Sequence, residues 1–407
     1  MSKVSRVWLL VLVVGLVAVT GGNVFAAEAR DVLRVAFLTD ARTVDPSTVT
    51  RDYTGYAAIS GMYDALVRYA HVTNPDGTIS VDTTKVVPHL AERWEYNSDM
   101  SEWTFYLRKD AKFHSGEPVT AEAIKYTFMR MGKMKLAAST VLWLAKVTDQ
   151  GMEVVDDFTI KFKLSGPNPL LLDYFQMLSL GIQNPKLLEA HGGLAAIEAK
   201  KVQDWAAKND TGSGPYRLVS WKPGVEMVFE RFEDYWGPKP KTKKIIFKIV
   251  SEESTRMMLL ERGAVDVVWW IPAKDYDRLS KIANLKVIGR PTIKVNYIDM
   301  NRNKAPFDNQ LVRQALAYSF PYESVINDVL YGRAIQMTSP VSDGSPSHTA
   351  EFFHYKQDLE KAKVLLKEAG YGDGLSFVFQ LGEGRIANNK EVAVTWQAEL
   401  KLSLIHI

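Results

Sequence analysis

The sequence predicts a mixed α/β protein whose sheets are flanked by helices and whose chain divides into two or three subdomains. Two observations carry this. The 407 residues less an N-terminal leader of 26 leave 381, more than one hydrophobic core usually accommodates. Segments with the two-residue alternation of strands also interleave along the chain with segments of helical period, and there is no internal repeat or low-complexity tract.

Taken in order, Lys3 and Arg6 give a basic start, Val7 to Val19 form a short apolar run, and Val24-Phe25-Ala26 offers small residues for cleavage. This is the pattern of a secretory signal peptide over residues 1–26, cut after Ala26. A run of thirteen residues interrupted by Gly15 falls short of the about 20 that a membrane-spanning helix needs. Leu33 to Leu38 reads as the first strand, followed by an Asp45-Pro46 turn and a helix from about Tyr53 to Tyr69. Loop signals stand at Asn74-Pro75-Asp76-Gly77 and again at Pro167-Asn168-Pro169. Between them, Trp103 to Arg108 alternates like a half-buried strand and Ser115-Gly116-Glu117-Pro118 supplies a turn. A helix follows, with Thr120 as N-cap, Glu122 in the first turn, and Ile124, Phe128 and Met131 on one face.

Asn184-Pro185 begins another helical stretch, and Gly193 to Lys208 reads as a helix rich in alanine and lysine. Gly212-Ser213-Gly214 is a turn rather than a phosphate loop, because no lysine follows at P-loop spacing and Pro215 blocks immediate helix entry. Ile245 to Val250 is a strand, Ser251 an N-cap, Met258-Leu259 the buried face of a helix ending at Gly263, and Val265 to Val268 the next strand. Val295 to Asn301 reads as a strand with alternating polar residues. Asp308 caps a helix through Leu311, Ala315 and Tyr318. Asp358 caps another, with Ala362, Leu365, Leu366 and Ala369 on one face and Gly370 as its stop.

Composition removes several classes of function. Cysteine is absent, which excludes a disulfide framework, thiolate catalysis, Cys-based zinc or iron–sulfur ligation and a lipid-modified cysteine anchor. Of 50 basic residues two fall in the leader, which leaves 48 against 47 acidic residues and a net charge of +1. Nucleic acid binding, with its basic footprint, is not expected. The lysines from Lys239 to Lys244 fit a solvated loop. The seven histidines form no His-Glu-x-x-His helix, no Gly-x-Ser-x-Gly elbow occurs, and His348 and His354 read as surface residues rather than a metal pair. Glu252-Glu253 and Asp156-Asp157 sit where capping explains them. No enzyme activity and no cofactor are expected.

Several blocks together carry a resemblance. Trp94 to Met131, with Trp103-Thr104-Phe105-Tyr106-Leu107-Arg108 and Phe113-His114-Ser115-Gly116, is the most telling. Leu33-Arg34-Val35-Ala36, Val44-Asp45-Pro46, Tyr63-Asp64-Ala65-Leu66-Val67-Arg68-Tyr69, Gly212-Ser213-Gly214-Pro215-Tyr216, Tyr235-Trp236-Gly237 and residues 358–371 follow in order. The chain from about Leu33 to Leu400 resembles extracellular solute-binding proteins of family 5, which serve peptide, nickel and some sugar ABC importers. The resemblance implies a two-lobe periplasmic binding protein fold of type II with the extra subdomain of the peptide-binding cluster. The lobes close about a hinge on the ligand. Residues 27–52 and 184–288 would form the first lobe core, 53–183 the extra subdomain, and 289–401 part of the second lobe.

A monomer in the periplasm of a two-membrane bacterium, with a small peptide ligand and an inner-membrane permease as partners, is the expectation. A sugar or glycoside is the runner-up ligand, a nickel complex the third, and a periplasmic enzyme or chaperone the alternative outside the class. By the resemblance, Trp269-Trp270 would pass near the hinge; on a strand the two would face opposite ways, so one indole in the cleft is expected unless the strand has already ended. The resemblance further points to Thr50, Arg51 and Asp52, to Asn296 and Tyr297, and to Arg385 as a partner for a ligand carboxylate, against surface roles for the same residues. The resemblance stops near Leu400-Lys401, and residues 402–407 match a translated sequencing adapter. A truncated gene that gives a poorly soluble or weakly binding chain is therefore expected.

Overall fold

The computed structural model describes residues 31–402 and 405–406, apart from residues 51, 136, 196, 198–199, 290–294, 343–346, 352, 354 and 382–387. The expected leader lies outside them. Among the described residues no helix is long and apolar enough to cross a membrane.

The chain runs through β1 (Val32–Phe37) and α1 (Tyr53–Met62) into an excursion. The excursion comprises β2 (Val67–Thr73), β3 (Ile79–Pro88), β4 (Ala91–Tyr96), β5 (Glu102–Leu107), α2 (Ala121–Met134), α3 (Ala137–Leu144), β6 (Met152–Asp156), β7 (Thr159–Lys163) and α4 (Leu171–Phe175). It returns through α5 (Pro185–Glu189) and α6 (Lys201–Ala206) to β8 (Tyr216–Lys222), β9 (Glu226–Arg231), β10 (Lys244–Ile249), α7 (Glu253–Glu261), β11 (Val267–Val268) and α8 (Tyr276–Ser280). A second part holds α9 (Gln310–Ser319), α10 (Tyr322–Ser324), α11 (Leu359–Glu368), β12 (Leu375–Ser376), α12 (Asn389–Leu402) and β13 (Ile405–His406).

The first sheet has the order β11-β1-β10-β9-β8, with β1 parallel to both β10 and β11 and β8–β9 an antiparallel hairpin. Alternation along β1 explains why helices cover both faces. Val35 and Phe37 pack with Phe229, Phe247 and Ala58, Ile59 and Met62 of α1, whereas Ala36 packs with Met257, Val265, Val268 and Leu279 on the side of α7 and α8. Since the buried residues of α1 belong to this first core, the packing unit of the excursion begins only at Leu66, beyond the Tyr53 boundary suggested by the sequence.

The excursion is built on an antiparallel sheet of order β4-β5-β7-β6. Trp103, Phe105 and Leu107 point inward from β5 and meet Ile124, Phe128 and Met131 of α2, as the two periods anticipate. Phe105, Phe128, Phe162 and Phe175 form a ring cluster with centroids 5.0–5.8 Å apart. Thr120 caps α2 by accepting from the Ala123 N–H.

Where α2 meets the first lobe lies a fully buried ion pair. The Arg130 guanidinium donates to both Asp45 carboxylate oxygens at 3.1 and 2.7 Å, and also to Ser47 Oγ at 3.1 Å and Gln183 Oε1 at 2.9 Å. Asp45 accepts further bonds from the Ser47 N–H and Gln183 Nε2, both at 2.9 Å. The Asp45-Pro46 turn is thus the socket into which the excursion plugs.

Several elements depart from the sequence expectation. The helix expected to reach Tyr69 ends at Met62, because Tyr63 is extended and Tyr63 and Asp64 are both engaged by distant segments, after which β-branched Val67, Val72 and Thr73 suit a strand. The helix expected from Gly193 is only Lys201–Ala206. Gly192, Gly193 and Lys200 take positive φ, and no continuous helix passes through them. Two caps move by one residue, to Glu252 for α7 and Asn309 for α9, and Met257 rather than Met258 is buried. No strand forms over 295–300: no neighbour among the described residues offers the ladder that a strand requires.

The second part packs α9, α11 and α12 around Trp396, whose indole N–H donates to Ser319 Oγ at 3.2 Å. Asp358 caps α11 and Gly370 follows at φ 86°, as expected. Ile405–His406, in the segment expected to be foreign, pairs in parallel with β12. Arg333 reaches back to α8, where it bonds Asp277 at 2.6 Å and lies 4.5 Å over the Tyr276 ring.

Candidate ligand-binding site

In open sheets with parallel strands, ligands sit beyond the carboxyl ends of those strands. Here the relevant ends are the segments after β1 and β11, with the N-terminus of α1 alongside. The Thr54 hydroxyl donates to the Thr39 carbonyl at 2.7 Å and fixes α1 against the end of β1. The strand β11 stops at Val268, and the Trp269 N–H still reaches the Ala36 carbonyl at 3.2 Å. Trp270 then adopts φ 75°, and its ring lies 5.8 Å from that of Tyr53 at 38°. The strand has therefore ended before the tryptophan pair, and the rule that adjacent residues face opposite ways does not govern them. Trp269 is 52% and Tyr53 44% exposed, unlike Trp103 and Trp396, which are buried in cores.

The other sequence-derived residues divide. Asp52 is buried as the N-cap of α1, its carboxylate accepting from the Gly55 and Arg42 N–H groups at 2.9 and 2.7 Å. It holds the loop rather than presenting a charge. Thr50 is exposed, as are Asn296 and Tyr297. Arg51 and Arg385 lie outside the described residues. Tyr53 escaped the sequence reading, although its place at the first turn of a helix following Asp52 was a usable signal. His348 Nδ1 donates to the Val341 carbonyl at 2.7 Å, and among the described residues no cluster of acids and histidines could hold a metal.

The recurrent sequence blocks converge elsewhere, on a buried junction. Asp64 accepts from His89 Nε2 at 2.9 Å, Ser213 Oγ at 3.0 Å, the Tyr235 hydroxyl at 3.1 Å and Trp236 Nε1 at 3.2 Å. Burial first, and then the adjacent Asp64 carboxylate, push the Tyr235 phenol well above its ordinary range. A Cβ on Gly212 would stand 1.9 Å from the Met62 carbonyl oxygen, which is why this segment needs glycine. Its role is close backbone approach, as the turn reading implies.

Beside it, His114 Nδ1 meets both oxygens of Asp210 at 2.9 Å and Nε2 meets the Gly214 carbonyl at 2.8 Å. Both partners can only accept, so both ring nitrogens carry protons. Burial alone would lower the pKa of this imidazole, but the Asp210 charge and the hydrogen bonds to Asp210 and Gly214 outweigh it and the net shift is upward. Because the folded value is raised, the stabilisation is complete below the ordinary histidine value of about 6.5 and is lost as pH rises through the folded value. Melts of the wild type and His114→Gln across that range should therefore converge as the solution becomes alkaline. A constant difference between the two would remove the imidazolium from the account.

A concavity of about 430 Å³ lies between α7 and α8, with Met257 and Met258 in its lining. Its rim charges are matched to one another, Arg278 with Glu261 and Asp275 at 2.6 and 2.8 Å and Lys274 with Glu253 at 3.5 Å.

Comparison with known proteins places this geometry. The family described as bacterial extracellular solute-binding proteins, family 5 Middle, matches residues 85–405. The probable D,D-dipeptide-binding periplasmic protein DdpA of Escherichia coli K12 is 33% identical over 339 residues, covering 83% of this chain and 62% of the relative. The dipeptide-binding protein of the same organism is 27% identical over 348 residues, with 82% and 62% covered. The chain thus spans 62% of the length of either relative. Among solved structures, the periplasmic binding protein DppA of Helicobacter pylori in complex with the peptide STSA superposes with a TM-score of 0.75 at 25% identity, covering 92% of this chain and 72% of that one. The fold is that of the two-lobe periplasmic binding proteins.

Proposed function

The chain belongs to the bacterial extracellular solute-binding proteins of family 5, a family of transport proteins rather than enzymes, and on that premise we propose that it captures a di- or oligopeptide in the periplasm for an ABC importer. The observation that carries the peptide reading is the 33% identity, over 83% of this chain, to a relative named for D,D-dipeptide binding. Ligand would rest on the aromatic face at the carboxyl end of β11 and be enclosed by the second lobe, with Arg385 as the proposed partner of its carboxylate and Thr50, Asn296 and Tyr297 at the rim. Closure is a population shift: a ligand that touches both lobes only when they are shut can favour that state by its differential affinity and no further. The closed, loaded monomer is then what the membrane permease recognises.

Native mass spectrometry of the purified protein tests the ligand class directly. A retained mass corresponding to a short peptide is expected; a retained glycoside or nickel complex would replace the peptide reading with one of those. Trp269→Ala should weaken binding of a dipeptide by about 1–3 kcal/mol, the cost of removing an aromatic hot spot, without changing the melt. Calorimetry checks this, and unchanged affinity would take the indole out of the site. Export by the leader requires a mature N-terminus at Ala27, so sequencing of periplasmic material should begin there. A chain still starting at Met1 would end the periplasmic assignment.

A further inference from the structure

We infer that the ligand presents an uncharged aromatic or flat apolar side chain to the first lobe, and that Tyr53, together with Trp269 and Trp270, is what selects it. The inference rests on the binding role proposed above and specifies the chemistry of that site.

Three observations carry it. Trp269 and Tyr53 expose large flat surfaces at the carboxyl end of the parallel strands, where the fold places ligand, while the tryptophans at 103 and 396 are buried. A bulky residue at φ 75° is a conformational outlier that persists only where its surroundings fix it, and such strain gathers at ligand clamps. Here the Trp270 ring is set against Tyr53, 5.8 Å between centroids. The Trp270 indole and the Tyr53 phenol thereby meet in one aromatic contact, with the exposed Trp269 next to it in the chain just past the end of β11.

The third observation concerns charge. Two carboxylates belong to the segments that carry these residues, Asp40 just after β1 and Asp52 just before Tyr53, and both bond within the protein. Asp40 accepts from the Trp221 indole at 3.1 and 3.2 Å, from the Gly224 N–H at 2.7 Å and from the Ala41 N–H at 2.8 Å. Asp52 accepts from the Arg42 and Gly55 N–H groups at 2.7 and 2.9 Å. A cationic side chain would find aromatic faces, but Asp40 already accepts four bonds from the protein and Asp52 is buried. An aromatic side chain gains offset stacking in addition to burial.

The test is a calorimetric panel on the purified protein and on Tyr53→Ala, using dialanine, alanyl-phenylalanine, phenylalanyl-alanine, alanyl-glutamate and alanyl-lysine, with N-acetyltryptophanamide as a probe that is not a peptide with free termini. At least one phenylalanine dipeptide should bind about tenfold more tightly than dialanine and the charged peptides, and Tyr53→Ala should bring the ratio of phenylalanine-dipeptide to dialanine affinity down to about one. Trp270→Gly, in which glycine accepts the same backbone angle, should lose the preference in the same way. Equal affinity across the panel, unmoved by Tyr53→Ala, overturns the selection and leaves peptide binding standing. If no dipeptide binds but the tryptophan amide does, and loses affinity in Tyr53→Ala, the aromatic surface stands and the peptide reading falls. No binding of any probe overturns the selection.

Discussion

Replacement of Asp45 by alanine is expected to destabilise the protein by about 3–5 kcal/mol, enough to leave little folded chain at physiological temperature. The substitution leaves the Arg130 guanidinium in a site with no exposure at all, with only Ser47 and Gln183 as uncharged partners. Desolvation that was offset by a bidentate carboxylate is then borne without compensation. Arg130→Ala should be as damaging in the opposite sense, stranding the carboxylate. The paired substitution Asp45→Leu with Arg130→Met is the informative comparison, because replacing both charges by apolar groups of similar volume is often close to neutral. Urea denaturation of the three variants decides the matter. If either single change costs less than about 1 kcal/mol, the pair is not what joins the excursion to the first lobe.

Asp64→Ala should rank second, at about 3 kcal/mol or more. Four donors from three separate segments converge on this carboxylate, and each donor left dry carries a penalty of about 1–3 kcal/mol, reduced where water can reach Tyr235 or Trp236. Asp64→Asn keeps the shape but turns an amide donor toward donors, so it should recover only part of the loss. Thermal melts of both variants test this, and an Asp64→Ala protein as stable as the wild type would show that the junction is held by packing alone.

These two sites also explain what could and could not be read from the sequence. The strand at Trp103 to Leu107 and the helix capped by Thr120 were legible because their apolar residues recur at one period over a sufficient length. Ile124, Phe128 and Met131 are accordingly buried together. The helix expected to reach Tyr69 failed because periodicity carries no information about Asp64, whose partners lie 25 to 172 positions away. At Val295 to Asn301 the alternation was present, but strand character depends on a neighbour that local sequence does not specify. In the candidate site the tryptophans were visible as residues, whereas the backbone angle that sets Trp270 against Tyr53 is a tertiary outcome. Asp52, read as a ligand contact, was equally legible as a helix cap, and the cap is what it forms.

The reach of Asp64 has a bearing on the order in which this molecule assembles. Its bonds to Ser213, Tyr235 and Trp236 close loops of 149, 171 and 172 residues, whereas β4, β5, β6 and β7 pair within one stretch of chain and α2 falls between them. Loop-closure entropy must be overcome before such distant contacts give anything back, so local topology sets the early steps. The Phe105–Phe162 cluster should therefore be structured in the rate-limiting state while Asp64 is not. Truncating Phe105 should slow refolding, and Ser213→Ala should act mainly by speeding unfolding. The blocks that meet at Asp64, around Ser213 and Tyr235-Trp236, are on that account the last to lock, and a nascent chain would carry the excursion as a formed body while the first lobe still waits for β8 to β10.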